Sequence, residues 1–514
     1  MKRQRWNFQN FLTFDKSFGK HNINGTAVAE WTNYTYNRIT AGGREFSDPF
    51  FVDELIGSTY VTQSSSGSWT TNGLASYIIR ANYNYNSLIY VGGSVRWDGI
   101  SSLHKDNRWG TFFGLSGALR VSNLNFWKDA PINDYINDFR IRGSFAEVGN
   151  DRLSGDFLYE DFFIGQKYGD QPGIAYDQAG NKNLKWETQK ITDIGFDMAF
   201  LNSRFNLVFA YWKKDNSDIV LDVPTPPSLG IPWNKISQNY GRIENKGIEL
   251  EVGGNVIQNK DFTWRTSFNF STQKSKVITL VEEIPYEHYV LREGESINAL
   301  WGFDYQGVNK KNGNPMYKKA DGTLIQGDPK NSKYYIYNPS NPEDLSEQST
   351  LTQDDKIILG NSIPTWFGGW DNTVYWKNFD LNIFFRFSGG NKVANVTRRD
   401  MLDQGFVNNS TEILGRWQSK ENPGDGQVPK LYYGKSSFIN QTSDGSSRWV
   451  EDGKFLKLQN LALGYTIPKN ICSKIWLEKL RVYVQAQNLF TITSYSGLDP
   501  EGYTVCLLYT SDAA

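Results

Sequence analysis

Hydrophobic and polar residues alternate with a period of two over many short stretches of this chain. The clearest stretch covers residues 447 to 493, SRWVEDGKFLKLQNLALGYTIPKNICSKIWLEKLRVYVQAQNLFTIT. Within it, aliphatic residues at positions 482, 484 and 486 alternate with polar or amphipathic residues. Such alternation is typical of a strand between two unlike environments. An earlier strand ends at Pro468, which has no N–H to donate to a sheet ladder. The stretch therefore predicts a membrane-type β-hairpin.

The same unit recurs along the chain, and about fourteen segments have the length and pattern of strands. They come in pairs: 8 to 18 with 21 to 34, 74 to 86 with 88 to 99, 110 to 122 with 138 to 149, 184 to 199 with 204 to 217, 239 to 254 with 262 to 276, 366 to 377 with 379 to 390, and 447 to 467 with 480 to 490.

Connection lengths carry more information than the segments themselves. Within each pair the connection is short, from two to about a dozen residues, as at 19 to 20 and 377 to 378. Between pairs it is long, with one shorter exception at 100 to 109; the long connections are 35 to 73, 151 to 183, 219 to 238, 277 to 365 and 391 to 446. Alternation of short turns with long loops is typical of an outer-membrane barrel, with short turns at the periplasmic rim. We therefore predict an all-β, antiparallel transmembrane β-barrel.

Aromatic residues flank many of the predicted strands, and amphipathic rings at both ends of membrane strands form interfacial girdles. The alternative is that aromatic residues are favoured in any strand. The flanking residues are Trp97, Trp109, Trp186, Tyr211, Trp212, Trp366, Trp370, Tyr375 and Trp376.

The composition fits this prediction and excludes several classes of protein. Lys plus Arg (54) and Asp plus Glu (55) nearly cancel, so there is no electrostatic footprint for nucleic acid. No run of about eighteen apolar residues is available for a spanning helix. A mean hydropathy of -0.54 remains compatible with a barrel, because only alternate residues of its strands face lipid. The basic N-terminus has no apolar core of a signal peptide, so we expect the start of the gene to be missing.

Several stretches resemble the SusC/RagA-like TonB-dependent outer-membrane transporters. Residues 76 to 103, SYIIRANYNYNSLIYVGGSVRWDGISSL, are similar to a strand-turn-strand segment of that family and end in its Arg-x-Asp-Gly-x-Ser signature at Arg96 to Ser101. Further matching stretches follow in the family's order, and together they cover residues 8 to 502. They are 138 to 151, 183 to 200, 239 to 252, 354 to 385, and the two strands of the stretch at 447 to 493.

The resemblance implies a barrel of about twenty-two strands with a plugged lumen. It also implies a SusD-like lipoprotein over the outer mouth, energy from the TonB-ExbB-ExbD system, contact with outer-membrane lipid, and import of oligosaccharides or peptides. By the same comparison, residues 1–503 are expected to be a barrel fragment without the plug, the TonB box and the first strands. Residues 504–514, TVCLLYTSDAA, continue no alternation and are expected to be a non-native tail; a variant last strand is the alternative. Such a fragment is not expected to transport actively by itself.

No constellation of an enzyme or a cofactor site is legible in the sequence. Adjacent carboxylates at 160 to 161, 282 to 283 and 354 to 355 lack the separated positions of hydrolase pairs and are expected to be solvated. The three histidines have no metal-ligand spacing, and Cys472 and Cys506 are expected to be unpaired. We therefore predict that the chain is not an enzyme and assign it no catalytic, cofactor-binding or metal-binding residue.

Glycine and asparagine within the matching stretches are predicted to serve turns at strand ends, where they admit positive φ. These sites are Gly149-Asn150, 239 to 241, 245 to 247 and Gly389-Gly390.

Some long connections have the residue types of a ligand surface. Aromatic rings cover apolar patches of a sugar or peptide, and amides bond its polar groups. Ordinary loop composition is the alternative, so the substrate-binding residues stay unassigned. The residues concerned are Trp233, Asn331, Tyr334, Tyr335, Tyr337, Asn338 and Asn341.

Two other functions stay open at this point. A siderophore or cobalamin receptor would share barrel and plug but lack the SusD-like partner, and a secreted β-rich adhesin or carbohydrate-binding protein would wash off the membrane.

Overall fold

The computed structural model describes residues 1–46, 60–150, 153, 155–169, 171–404 and 408–501. Within these ranges most of the chain is antiparallel β-strand. The strands are β1 (Lys2–Phe18), β2 (His21–Phe46), β3 (Tyr60–Tyr85), β4 (Ile89–Ile100), β5 (Trp109–Arg120), β6 (Ile136–Asn150), β7 (Phe162–Tyr168), β8 (Gln171–Gln178), β9 (Glu187–Phe200), β10 (Phe205–Pro224), β11 (Lys235–Gln258), β12 (Phe262–Thr279), β13 (Ile284–Pro285), β14 (Tyr289–Leu291), β15 (Ala299–Val308), β16 (Pro315–Lys318), β17 (Leu324–Asp328), β18 (Lys333–Ile336), β19 (Gln348–Ser349), β20 (Lys356–Asn361), β21 (Trp366–Trp376), β22 (Phe379–Gly389), β23 (Lys392–Ala394), β24 (Val450–Asp452), β25 (Phe455–Thr466) and β26 (Arg481–Thr493).

Helices are few and short in the described ranges. The α-helices are α1 (Asn125–Lys128), α2 (Val396–Asp400), α3 (Ser436–Asn440) and α4 (Lys469–Cys472). No helix in the described part of the chain combines the length and the apolar composition needed to cross a bilayer.

Fourteen of the described strands form one sheet in the order β1-β2-β3-β4-β5-β6-β9-β10-β11-β12-β21-β22-β25-β26. These are the fourteen segments predicted from alternation. Short and long connections alternate between them as predicted, for example two residues between β1 and β2 but more than eighty between β12 and β21.

The predicted boundaries were wrong at several places. β2 and β3 reach Phe46 and Tyr60, so most of the predicted loop 35 to 73 is strand; its remaining part, 47 to 59, lies outside the described residues. Likewise β10 and β11 take up half of the predicted loop 219 to 238. The last hairpin starts at Phe455 instead of 447, because Val450–Asp452 pairs with β23. These strands continue beyond their apolar residues into mostly polar ones. Their polar ends were therefore predicted as loops.

The chain divides into two compact units. The first contains residues 1–133, 138–196 and 212–244; the second contains 134–137, 197–211 and 245–514.

In the first unit the register of the sheet sorts the side chains onto two faces. Opposite pairs such as Ile79↔Val95 and Val95↔Phe113 place apolar groups in continuous rows across β3, β4 and β5. Large apolar side chains on this face, including Ile79 and Phe113, are exposed. An exposed apolar face of this extent is the surface that a lipid-facing sheet presents.

Aromatic rings form a row on the same face. Phe8 stacks on Trp31, Trp31 meets Tyr77 edge-on, and Tyr77 stacks on Trp109, with centroid distances of 5.9, 6.0 and 6.1 Å. Trp97 faces Tyr77 in the register.

The second unit has two such rows. Trp370 stacks on Phe385 at 6.0 Å, and six residues along each strand Trp376 stacks on Phe379 at 6.1 Å. Phe379 also contacts Tyr465 at 4.7 Å. Six residues span about 20 Å of strand, close to the roughly 25 Å apolar band of outer-membrane barrels. The rows therefore have the spacing of two interfacial girdles.

Trp186 was wrongly placed among the girdle residues. It is 6% exposed and belongs to a core with Ile100, Leu103, Phe112, Leu184 and Val220. Its indole N–H donates to the carbonyl of Arg108 at 3.0 Å. Trp186 comes just before β9 and lies outside the apolar part of that strand. Alternation therefore does not assign its side chain to either face of the sheet.

The two longest connections are folded and form what we term the loop assembly, residues 280–365 and 390–454. The first of them carries a second sheet in the order β13-β14-β15-β16-β17-β18-β19, with β20 paired to β15. The second joins it at β15, where the N–H of Phe303 donates to the carbonyl of Gly445 at 3.2 Å. These segments were predicted only as loops.

Candidate functional site

A polar face of the first unit lies opposite the apolar rows, and we call it the polar wall. Because side chains alternate along each strand, even-numbered residues of β2 to β6 point to this face. Register aligns them into a row that crosses five strands, and the members of this row are Asn24, Asn82, Gly92, Ser116 and Ser144. A second row next to it consists of Asn22, Asn84, Tyr90, Ala118 and Arg142.

Glycine is required in the first of these rows. A Cβ on Gly92 would lie 2.7 Å from Ser116 Oγ and 2.9 Å from Asn82 Oδ1. The missing side chain therefore lets the amide and the hydroxyl approach each other across β4.

Ion pairs hold the polar wall together. The Arg120 guanidinium bonds both oxygens of Asp138, at 2.7 and 2.6 Å, and Ser122 Oγ donates to the same carboxylate at 2.9 Å. Arg142 donates to Asp193 at 2.6 Å. Bidentate geometry fixes the register of neighbouring strands more firmly than a single contact does.

The polar wall lines an open cavity of about 400 Å³. Its lining includes four asparagines at 22, 24, 82 and 84, together with Asp15, Tyr83, Tyr90, Ser116, Arg140, Arg142, Ser144 and Asp193. Two carboxylates and two guanidinium groups balance in charge. Amides and hydroxyls donate and accept, so this surface suits a neutral polar chain and has no preference for an ion.

The loop assembly has its own aromatic core. Phe303, Tyr305, Tyr317 and Ile325 are buried together, and Tyr334 meets Tyr317 at 6.1 Å. Burial raises the pKa of the Tyr305 and Tyr317 hydroxyls well above their ordinary values. These phenols are therefore neutral at any physiological pH.

A buried arginine ties this core to the second connection of the loop assembly. The Arg448 guanidinium lies 4.3 Å over the Trp449 ring and 5.4 Å over the Tyr305 ring. Its Nη1 donates to Asn440 Oδ1 at 3.0 Å. Burial lowers the pKa of Arg448, although the group stays charged because guanidinium groups remain protonated in proteins. Aromatic faces compensate part of the cost of burying this charge.

His288 marks a second junction in the loop assembly. Arg399 Nη1 donates to His288 Nε2 at 2.8 Å and to the carbonyl of Thr442 at 2.9 Å. Burial lowers the pKa of His288; neighbouring Glu287 opposes this shift and Arg399 adds to it. A neutral imidazole accepting from Arg399 fits that geometry.

With this geometry established, comparison with known proteins assigns the chain to a family. Residues 2–489 match the model of the TonB dependent receptor-like β-barrel family. The chain belongs to this family. Its strand sheet, apolar face and aromatic rows confirm the predicted antiparallel transmembrane β-barrel, and the chain is an outer-membrane protein.

Named relatives point to the SusC-like branch of TonB-dependent receptors. TonB-dependent receptor P3 of Formosa agariphila is 31% identical over 508 residues, which are 96% of this chain and 48% of the relative. TonB-dependent receptor SusC of Bacteroides thetaiotaomicron is 28% identical over 475 residues, 84% of this chain and 42% of the relative. The chain thus spans about half the length of the curated relatives it matches. The recognised resemblance to SusC/RagA-like transporters is confirmed.

A solved structure shows the same fold. The RagAB peptide transporter superimposes with a TM-score of 0.78 at 23% identity, over 97% of this chain and 53% of that one.

In this TonB-dependent receptor the signature at residues 96 to 101 packs strands together. Arg96 donates to Asp98 at 2.5 Å and to Ser76 Oγ at 3.2 Å. Gly99 lies against the Trp109 ring, where a Cβ would come within 2.8 Å of it. Ser101 Oγ accepts from the N–H of Gly73 at 2.8 Å. The signature thus has contacts typical of packing, in line with the turn and girdle role predicted for it.

Asn239 shows a role that the sequence did not reveal. Its amide donates to the carbonyls of Lys185 and Asp218 at 2.8 and 2.7 Å, and its oxygen accepts from the N–H of Lys185 at 2.9 Å. Because both segments lie inside β11 (Lys235–Gln258), the predictions of turns at 239 to 241 and at 245 to 247 were wrong.

The two other predicted turn sites differ from each other. Gly390 has φ of 78°, as a turn requires, and a Cβ there would collide with Thr365. Gly149 has no left-handed φ; it makes room for the Phe112 and Trp186 rings, which a Cβ would hit. The prediction of a positive-φ turn is therefore confirmed at Gly390 and wrong at Gly149, where glycine serves close packing instead.

The residues proposed for a ligand surface differ in exposure. Tyr334 is half-buried, and its hydroxyl accepts from Gln441 Nε2 at 2.6 Å. Asn331 and Asn338 are exposed; Asn331 donates to Asp328 at 2.8 Å, and Asn338 Oδ1 accepts from the N–H of Ser340 at 3.0 Å. Trp233 is also exposed, at φ of 59°. Tyr335 and Tyr337 lie in and next to β18, and Asn341 donates its N–H to the carbonyl of Asn338.

One carboxylate of each adjacent pair has a structural partner. Asp161 accepts from Tyr176 and from the N–H of Gly180, at 2.8 and 2.9 Å. Glu283 pairs with Arg292. The expectation of solvated carboxylates was wrong for Asp355, which is buried and accepts from the N–H of Thr352 at 2.9 Å.

Metal and thiol chemistry find little support among the residues that the structure covers. Within the described ranges no group of three or more His, Cys, Asp or Glu side chains could hold a metal ion. Cys472 is buried and free, whereas Cys506 and the predicted tail at 504 to 514 lie outside the described residues.

Proposed function

We propose that this chain forms the barrel wall and outer loops of a SusC-like importer that takes up oligosaccharides or peptides across the outer membrane. A SusD-like lipoprotein captures the ligand with it, and the TonB-ExbB-ExbD system supplies the energy. The observation that carries the proposal is the family match over residues 2–489, supported by the named relative SusC and by the fold of the RagAB peptide transporter.

The polar wall supports transport of a polar chain. Its two rows offer amides and hydroxyls at a spacing set by neighbouring strands, about 4.8 Å apart. Hydrogen-bonding groups at such intervals exchange contacts with successive hydroxyls of a glycan or successive amides of a peptide without holding either tightly.

The function is that of a carrier and involves no covalent step. One carboxylate of each adjacent pair, namely Asp161, Glu283 and Asp355, has a partner in the fold. Binding, orientation and release are therefore the roles of the side chains described above.

A deletion experiment tests the proposal. The full-length gene is recovered from the source DNA with its neighbours, deleted, and restored from a plasmid, and growth is measured on oligosaccharides and on oligopeptides as sole nutrients. We expect growth on one of the two classes to be lost, restored by the plasmid, and lost again in a tonB deletion. Co-purification of a lipoprotein with the tagged protein is expected.

The outcome also separates the alternatives. A defect confined to iron or cobalamin limitation would replace the proposal by a siderophore or cobalamin receptor. Uptake independent of tonB would overturn it.

A further inference from the structure

The connection between β25 and β26 differs from the tight turns at the same ends of the strands. Turns such as 19 to 20, 86 to 88 and 377 to 378 are two or three residues long and mostly polar. Residues 467 to 480, which we call the connector, form instead α4 followed by a 3-10 turn at Ser473–Ile475.

The connector has a fixed conformation with an inner and an outer side. Cys472 is fully buried, and its carbonyl accepts from the N–H of Leu477 at 3.0 Å. Trp476 takes the left-handed conformation at φ of 59°, and its N–H donates to the carbonyl of Ser473 at 3.3 Å. A bulky residue rarely adopts this conformation. The fold therefore positions this ring specifically.

The outer side is strongly apolar. Trp476 is 97% exposed, more than any other tryptophan in the described chain, and Ile471, Ile475 and Leu477 are 50%, 57% and 43% exposed. Clustered apolar groups of this size on an ordered surface mark a contact with an apolar partner.

The apolar side continues the membrane-facing surface of the second unit. Tyr465, at the end of β25, belongs to the aromatic row with Phe379 and Trp376. On the other side of the connector Val482 pairs with Tyr465 in the register and is exposed. The connector therefore begins and ends at the lipid-facing edge of the sheet.

Charge on the connector identifies the kind of surface that it meets. Lys469, Lys474 and Lys479 are exposed, against the single carboxylate of Glu478. A short amphipathic segment with lysines beside tryptophan and aliphatic groups is the combination that lies in a membrane interface and attracts anionic headgroups.

The β5–β6 connection of the first unit also presents apolar groups, but its charge differs, since Lys128 stands against Asp129 and Asp134. It contains α1, and its Phe126 and Ile132 are 65% and 43% exposed, with Lys128 at the end of the helix. Both helical connections at strand ends thus present apolar groups, whereas the tight turns present polar ones.

We infer that the connector is an interfacial anchor: Ile471, Ile475, Trp476 and Leu477 insert into the phospholipid leaflet at the short-turn end of the barrel, and the lysines contact anionic headgroups. The inference goes beyond transport. It depends on the membrane position of the sheet and not on the imported ligand, so the growth experiment above and the experiment below can fail separately.

Spin-label accessibility tests the anchor. The whole chain, with Cys472→Ala and Cys506→Ser, is refolded into lipid nanodiscs containing one quarter anionic phospholipid. A nitroxide is attached at Trp476→Cys, at Ile475→Cys, which keeps the tryptophan, or at Asn378→Cys in a tight turn as control. Collision rates are measured with oxygen, which enriches in the bilayer, and with a water-soluble nickel chelate.

Labels at 475 and 476 are expected to collide several-fold less often with nickel than the label at 378, and more often with oxygen. Replacing the anionic lipid by a neutral one is expected to raise nickel access at 475, and the triple change Lys469→Gln, Lys474→Gln, Lys479→Gln to abolish that lipid dependence. Nickel access equal to that at 378 in every lipid would overturn the inference. Protection that appears only after adding periplasmic extract would also overturn it, because the surface would then bind a protein.

Discussion

Replacing Trp186 by alanine should be among the most damaging single changes in the first unit. The indole contacts Phe112 edge-on at 5.3 Å and bonds the Arg108 carbonyl at 3.0 Å. Gly110 and Gly149 lie next to the two rings and leave room for them, because a Cβ on either glycine would meet both rings. The alanine variant would therefore leave a cavity that the glycine backbone on either side cannot fill.

The magnitude follows from the buried area. A tryptophan that is 6% exposed hides most of its surface, about 230 Å² of roughly 250 Å². At about 25 cal/mol per Å² this corresponds to about 6 kcal/mol, an upper bound. Residual burial in the unfolded chain reduces the figure to about 4 kcal/mol. Loss of the hydrogen bond adds about 1 kcal/mol, so we expect the free energy of unfolding to fall by about 4 to 5 kcal/mol.

Urea unfolding of the refolded chain in detergent micelles, followed by far-UV circular dichroism, measures this loss. Trp233→Ala is the matched control, because Trp233 is 77% exposed in the connection between β10 and β11 and the same chemical change there should cost less than about 0.5 kcal/mol. A double-mutant cycle with Phe112→Leu should give a coupling of about 1 kcal/mol for the two rings.

Equal losses for Trp186→Ala and Trp233→Ala would refute the reasoning, since burial would then not decide the effect. A large loss for Trp186→Ala without coupling to Phe112 would refute the assigned contact alone.

Three further changes test other parts of the structure. Asn239→Ala removes three backbone hydrogen bonds and should lower the free energy of unfolding by about 3 kcal/mol in the same urea assay; a loss below 1 kcal/mol would contradict the assignment. Gly390→Ala should lower the midpoint of thermal unfolding more than Gly434→Ala, because both have positive φ but only the first meets a neighbouring side chain. The pKa of His288 is lower in the folded chain than in the unfolded one, so protonation favours the unfolded chain. The contribution of neutral His288 to the free energy of unfolding is therefore present above about pH 6.5 and is lost as the pH falls. Limited proteolysis of the loop assembly should therefore accelerate from pH 7.5 to 5.5, and His288→Asn should weaken this dependence; an unchanged pH profile in the variant would refute it.

The strands of the large sheet were predictable because each separates two environments. Where β3 passes from Ile79 on one face to Arg80 on the other, the alternation reports the pleat directly, and a slip by one residue would bury the arginine in lipid. Alternation also located the short turns, because it stops there. It located the aromatic rows as well, because their rings flank the alternating segments.

The polar wall was only half predictable. Alternation put Asn82 and Asn84 on the face away from lipid, but it could not bring Asn24 opposite Asn82, since register is a property of two strands and a single sequence shows one at a time. Gly92 illustrates the limit, because its need for glycine comes from Ser116 on the next strand.

The loop assembly could not be read from periodicity, because its strands are two to ten residues long and β14, β15 and β17 are buried on both faces. β15 has no polar side to alternate with: Ala299, Leu300 and Trp301 are all buried. Its stability comes from contacts between distant segments, such as Arg448 over Tyr305, which no local pattern encodes. In a membrane barrel, contact with lipid on one face gives the strands a hydrophobic period of two. The loops are instead stabilised by contacts with one another. The loop assembly is therefore the part of the chain for which the sequence has the weakest local signal, and freedom from the bilayer's constraint allows loops of this kind to vary more than the strands that they connect.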